Sequence, residues 1–343
     1  MSPQPIDYSK LMAASTLSAI FIIALLYSTL ILPHKLHRLL LRWIPDYGLN
    51  WIEAEATIEA LRPLGYLCFI LFLLLILLGF VLGRFRVSIL SSLGLYLPAF
   101  GHFASTMFFL AGLGVLRIVW LPLMELVSAP WGYRPYDVRG LLDAADAVYL
   151  PYIVLRMLSC LPSAFSGGIP PLRLIDRLTF YVFILLGCGI LFLGSQTWLY
   201  GRFLNLELID FWAYRYSRHP QYLGLLIWSY GLLIYDRFVF IPVRGGYYPA
   251  PSLLWLLMAL TIIASALKEE IKMEERLGER YTEYQASTPF MLPLPRWISD
   301  WITLPSRILI KKERPETGRE ILLILAFYTA LIVGVSALIH LPH

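Results

Sequence analysis

The stretch "LTFYVFILLGCGILFLGSQTWLYG", residues 178–201, carries no charged side chain from end to end. A helix crossing the hydrocarbon core of a bilayer needs about 20 predominantly apolar residues. A helix resting on a soluble core would show a polar stripe along one side, and this stretch has none. It therefore reads as a membrane span. Runs 11–34, 63–83, 87–116, 245–267 and 321–343 are equally free of charge. Two shorter apolar runs, 145–161 with Arg156 inside it and 219–235, bring the total to about eight membrane segments by length. Charged residues make up only 15% of the 343 positions, too few for a soluble chain of this size, and they are gathered into blocks. The expected fold is all-α: a polytopic transmembrane helical protein with a polar C-terminal helix region in the cytoplasm.

The first part of run 11–34, residues 11–32, is long for a signal peptide and lacks a clear small-residue cleavage site, so it reads as a retained first span. The three cysteines, Cys68, Cys160 and Cys188, all lie in apolar stretches. They read as small hydrophobes, with no spacing that suggests a metal or a disulfide. Basic loops orient the spans, because Lys and Arg concentrate on the cytoplasmic side. The largest polar block, 268–318, goes inside, and loop 202–218 with Arg202, Arg215 and Arg218 joins it if 219–235 and 245–267 form a hairpin. Both termini then lie outside. The expected division is 1–170 as an N-terminal transmembrane region, 171–300 as a core that holds the main polar clusters, and 301–343 as a linker with a final span.

Polar residues crowd the mouth of one run, in "YRYSRHPQYLG", 214–224. Pro220 suits the first turn of a helix and keeps His219 out of helical geometry. The free amides there favour anions, and Arg215 and Arg218 add charge. Gly224 permits a close approach by another backbone or a flat ring. Sixteen helical residues cover about 24 Å, so a returning helix 251–267 brings Lys268, Glu269 and Glu270 back to the level of His219. One pocket would then hold anion-binding and cation-binding halves, suited to a zwitterionic amino-acid moiety and a ribose. Residues 268–286 read as one charged, amphipathic helix ended by Pro289, Pro293 and Pro295.

These residues also carry a resemblance. "SRHPQYLG" followed by "KEEIKMEERLGERYTEYQASTPFMLP" resembles the C-terminal signature of integral-membrane methyltransferases, the isoprenylcysteine carboxyl and phospholipid methyltransferases. The matching positions are Arg218, His219, Pro220, Tyr222, Gly224, Glu269, Glu270, Leu277, Gly278, Tyr281, Tyr284 and Pro289, with Trp228 shared by the isoprenylcysteine branch. The likeness covers roughly 178–295 and implies S-adenosyl-L-methionine as cofactor. By the same likeness Tyr216, His219, Pro220, Tyr222, Gly224, Glu269 and Glu270 would line the cofactor. Arg218, His219 and Glu270 would serve catalysis, and Arg215, Trp228 and Lys268 the substrate. Upstream of the Glu pair the chain reads "TIIASALKEE", apolar as in the phospholipid branch, whereas the isoprenylcysteine branch has an arginine there.

The resulting expectation is methyl transfer to a lipid-like or isoprenylated acceptor, of the isoprenylcysteine carboxyl O-methyltransferase kind, with phospholipid N-methylation as the alternative. A carboxylate acceptor needs a positioning cation, for which Arg215, Arg218 and Lys268 are candidates. An amine needs a base, for which His219 or the Glu pair are candidates. Sterol reductases also carry Arg-His-Pro-x-Tyr-x-Gly and bind NADPH, but continue with His-Arg-Glu-x-x-Asp and a cysteine where this chain has "KEEIKMEERLG". A non-enzymatic transporter or scaffold is the third reading. His102, in run 87–116, reads as a neutral histidine bonded to a neighbouring helix. Arg117, Glu125 and Arg156 read as interhelical ion-pair partners. The net charge of +5 fits membrane topology, and no phosphate-binding loop or nucleic-acid motif is present. The expected partner is a membrane lipid or lipidated acceptor.

Overall fold

Inside a bilayer every backbone N–H and C=O needs an internal partner, and a helix supplies them all within one segment. The computed structural model describes residues 6–32, 35, 51–84, 86–92, 94, 119, 122, 144–165, 171–239, 252–312 and 314–340. Among the described residues the regular structure is helical, with no strand. The main helices are α1 (Tyr8–Leu26), α2 (Trp51–Val81), α3 (Leu150–Phe165), α4 (Leu172–Phe203), α5 (Pro220–Ile234), α6 (Ser252–Leu277), α7 (Glu279–Ser287), α8 (Arg296–Ile310) and α9 (Gly318–His340). Among the described residues, four helical stretches are long and apolar enough to cross a membrane: Tyr8–Thr29, Glu59–Val81, Leu172–Phe203 and Gly318–Ile339. Most of run 87–116, including His102, lies outside the described residues, as do Arg117, Glu125 and the 240–251 connection.

Local chemistry sets the helix ends. The Asp7 side chain caps α1 by accepting from the amides of Ser9 and Lys10, which satisfies donors a helix start leaves free. At its other end α1 loosens into a π-helical turn, Tyr27–Ile31. The charged segment after the Glu pair is not one helix. It breaks at Gly278, whose φ of 56° is left-handed, a conformation that suits glycine. Helix α7 restarts at Glu279 and ends at Ser287, before Pro289.

Contacts divide the chain into two units. One comprises Met1–Ser28, Tyr181–Tyr230 and Ile263–Ile324; the other comprises Thr29–Phe180, Gly231–Ile262 and Leu325–His343. In the first unit, α4 and α5 run backbone against backbone. A Cβ on Gly187 would lie 2.4 Å from the Trp228 amide nitrogen, and one on Gly224 would lie 2.5 Å from that of Leu191. One on Gly194 would lie 3.0 Å from that of Gln221. Small residues let membrane helices approach this closely, and dispersion between their backbones then holds them. The α1 start joins the same unit, where the Asp7 amide donates to the Tyr200 hydroxyl at 3.1 Å and Gln196 Nε2 donates to Ser15 Oγ at 2.6 Å.

The second unit holds a buried ionic cluster. Arg156 on α3 donates from Nε to Asp176 Oδ1 at 2.7 Å and from Nη2 to Oδ2 at 3.1 Å. The Tyr152 hydroxyl donates to the same Oδ1. Asp176 is 2% exposed, so three donors hold a carboxylate that burial alone would penalise. The Arg156 guanidinium also lies over the Phe238 ring, 5.3 Å from its centre. Arg156 thus pairs with a carboxylate on α4, a partner the sequence reading did not name.

Candidate functional site

The segment before α5 is fixed by its backbone. The Arg218 amide donates to the Pro289 carbonyl at 3.0 Å, and the His219 amide donates to Ser217 Oγ at 3.3 Å. Pro220 then opens α5, where its missing N–H costs nothing. Upstream, Trp212 adopts φ 46° and stacks on Tyr200, with ring centres 5.0 Å apart. Downstream, the Tyr284 hydroxyl donates to the Tyr214 carbonyl at 2.6 Å. Tyr281, Tyr284 and Leu208 form the small core beneath this turn.

Arg218 lies at the centre of the site. Its Nε donates to Glu270 Oε1 at 2.5 Å and its Nη2 to Glu270 Oε2 at 3.1 Å. Its Nη1 donates to the carbonyls of Gln285, at 2.8 Å, and Thr288, at 2.5 Å. The fork therefore reads one carboxylate and two main-chain oxygens at once, a geometry guanidinium offers and ammonium does not. Both members of the pair are buried, at 7% and 8% side-chain exposure. Burial would raise the Glu270 pKa, but the hydrogen bond from His219 and the Arg218 charge outweigh it and hold the carboxyl below the ordinary glutamate range.

His219 joins the buried pair to an open one. Its Nε2 lies 3.3 Å from Glu270 Oε1, and its Nδ1 lies 3.8 Å from Glu269 Oε2. The ring stacks on Tyr222 at 5.8 Å and meets the edge of Phe290 at 5.1 Å. The Tyr222 hydroxyl donates to Glu269 Oε1 at 2.7 Å. Glu269 is 45% exposed where Glu270 is 8%. The carboxylate of Glu269 is thus oriented from beneath and open to a ligand, while that of Glu270 is enclosed.

The structure brings Arg218, His219, Tyr222, Glu269 and Glu270 together, although up to 52 residues of sequence separate them. It places the other sequence candidates around this group. Gly224 faces the α4 backbone at Leu191, and Trp228 is buried against Gly187. The Trp228 indole nitrogen is buried without a hydrogen-bond partner among the described residues. Arg215 and Tyr216 are exposed on the single helical turn Ala213–Tyr216. Lys268 lies beside Gly318, where a Cβ would come within 3.6 Å of its Nζ. Burial, and then the neighbouring Lys272, push its ammonium pKa down.

Four contributors were not read from the sequence. The carbonyls of Gln285 and Thr288 bind Arg218, Phe290 walls His219, and Arg314 Nη1 donates to the Gln285 side chain. Carbonyl ligands leave no side-chain signature, and Arg314 sits in a charged link that looks solvated in sequence. Among the described residues no group of His, Cys, Asp and Glu has the arrangement of a metal site. Comparison with family models, with curated proteins and with solved structures gave no match.

Proposed function

We propose that this chain transfers a methyl group from S-adenosyl-L-methionine to a lipid-like or isoprenylated acceptor at the membrane interface. The observation that carries the reading is the half-exposed Glu269 carboxylate, oriented by Tyr222 and flanked by His219, above a buried Arg218–Glu270 pair. An open carboxylate so placed would suit a ribose diol or a sulfonium cation. The residues fit the cofactor at that end: Glu269, His219 and Tyr222 would hold it. When bound, the cofactor supplies an electrophilic methyl group.

The chain's own task is then alignment, which is worth up to about 7–11 kcal/mol in a well-oriented displacement. Glu270 and Arg218 act through position: they tie α6 to the turn before α5 and to residues 285–289, the end of α7 and the loop after it. Because the Arg218 fork is engaged internally, Arg215 is the exposed cation left on this turn to meet an acceptor carboxylate. The phospholipid reading has its own support in His219, whose two ring nitrogens each lie near a carboxylate. A proton taken from an amine acceptor would have a relay behind it. We place the site on the cytoplasmic face of a chain with about eight membrane segments, because the basic loops 202–218 and 268–318 flank it.

The test is transfer of isotope-labelled methyl groups from S-adenosyl-L-methionine into lipid extracts by membranes carrying the chain, with mass spectrometry of the product. Base-labile label marks a carboxyl ester and base-stable label an amine. Absence of both from every lipid fraction contradicts the reading.

A further inference from the structure

Helix α8 exposes side chains that water does not favour. Trp297, Trp301, Leu304 and Ile308 are 66%, 71%, 44% and 68% exposed. Their spacing of four, three and four places them on one face, since successive residues turn by about 100°. Ile302, at 53%, widens the same apolar side, and Leu292 and Leu294 continue it just before the helix. The other side carries Ser299, Asp300, Thr303, Ser306 and Arg307, with an Asp300–Arg307 ion pair at 3.1 Å. This division into an aromatic-aliphatic face and a charged face is that of a helix lying in a membrane surface. It is not that of a span, for the charges cross its whole length.

The chain itself argues for a bilayer as the occupant. Helix α9 begins at Gly318 and is long and apolar enough to cross a membrane. Only the short link 311–317 separates it from α8, so α8 ends at the depth where a span begins. Lys311 stops α8 in a left-handed conformation, φ 55° and ψ 27°, which turns the chain rather than extending α8 into α9. Tryptophan at 297 and 301, on the exposed apolar face of the first turns, matches the aromatic preference of the headgroup region.

We infer that α8 is an in-plane interfacial helix whose Trp297, Trp301, Leu304 and Ile308 face is seated in the headgroup and upper acyl region of the bilayer. The consequence for the site is mechanical. Residues 291–295 join α8 to the loop whose Phe290 meets His219 and whose Pro289 carbonyl holds Arg218. Anchoring α8 keeps that loop at the level of the lipid headgroups. This inference stands on α8 and its short link to α9, and does not depend on methyl transfer.

The experiment is spin labelling of the full chain in nanodiscs, after replacing Cys68, Cys160 and Cys188. Cysteines introduced one at a time at 297–308 report accessibility to oxygen and to a water-soluble nickel complex. The inference predicts oscillation with a helical period: oxygen-rich, nickel-poor signals at 297, 301, 304 and 308, all at one shallow depth, and the reverse at 300 and 307. High nickel access at all positions, a steady depth gradient along the helix, or a face shielded from both reagents by a protein partner would each overturn it. The unmodified chain provides a check that needs no cysteine removal. Lipids brominated near the headgroup should quench part of its tryptophan emission, and that part should shrink in the Trp297→Phe, Trp301→Phe double variant. An unchanged quenched fraction contradicts the inference.

Discussion

Glu269 and Glu270 stand one helical step apart, about 100° around α6, and that step separates two jobs. Glu270 points into the Arg218 fork; Glu269 points to Tyr222 and the surface. Removing either partner of a buried pair leaves the other charge uncompensated, which typically costs about 3–5 kcal/mol. Arg218→Ala and Glu270→Ala should therefore each lower stability by an amount of that order in detergent unfolding. Glu269→Gln should change it by less than about 1 kcal/mol, as surface substitutions do. Equal losses at all three positions would contradict this division.

The same residue predicts a pH dependence. The folded pKa of Glu270 is depressed, so the native state favours its charged form relative to the unfolded chain. That contribution is complete above the ordinary glutamate pKa of about 4.3. It fades as pH falls through the lower folded value. Melting temperature followed from neutral to acidic pH should drop in that window for the natural chain, and this part of the drop should disappear in Glu270→Gln. The sequence shows that a Glu pair meets an Arg-His turn, because helix rise sets the depth of each. It does not show which Glu faces inward, because that depends on helix phase fixed by the 285–289 loop.

At the scale of the element, the α4–α5 seam is made of glycines at which a Cβ would strike backbone rather than a yielding side chain. Gly187→Leu and Gly224→Leu should force the helices apart and destabilise by about 1–3 kcal/mol or more. Gly189 has nothing within 4 Å of its would-be Cβ. Gly189→Ala should be neutral or stabilising by up to about 1 kcal/mol, since alanine suits a helix interior better. Thermal unfolding of the three variants side by side checks the contrast. From sequence alone Gly224 invites either a backbone or a ring; which of them arrives depends on α4, whose glycines look like ordinary span residues. The break at Gly278 was hidden for a similar reason: a lone glycine in a charged helix signals weakness but not a left-handed turn.

At the scale of the whole molecule, apolar run length made the helices legible, because a bilayer allows few alternatives. Four stretches meet the length and hydropathy demands of a span among the described residues. Helices α3 and α5 are shorter, and α6 carries charge through its second half. The Arg156–Asp176 cluster was only half legible, because Asp176 begins a long span and resembles a flanking charge. The proposed topology of about eight crossings would put both termini on the outer face; on that proposal, membrane-impermeant labelling of cysteines placed near each terminus should modify both in intact cells. Modification of only one would require an odd number of crossings.

The central claim is that Glu269, His219 and Tyr222 form the cofactor end of a methyl-transfer site. Calorimetric titration of the detergent-solubilised full chain with S-adenosylhomocysteine tests it most directly. We predict saturable binding by the natural chain, no heat with NADPH, and affinity about 10–100-fold weaker in Glu269→Gln, the loss expected for a hydrogen bond to a charged group. Binding of NADPH alone, no binding of either cofactor, or undiminished affinity in Glu269→Gln would contradict the account.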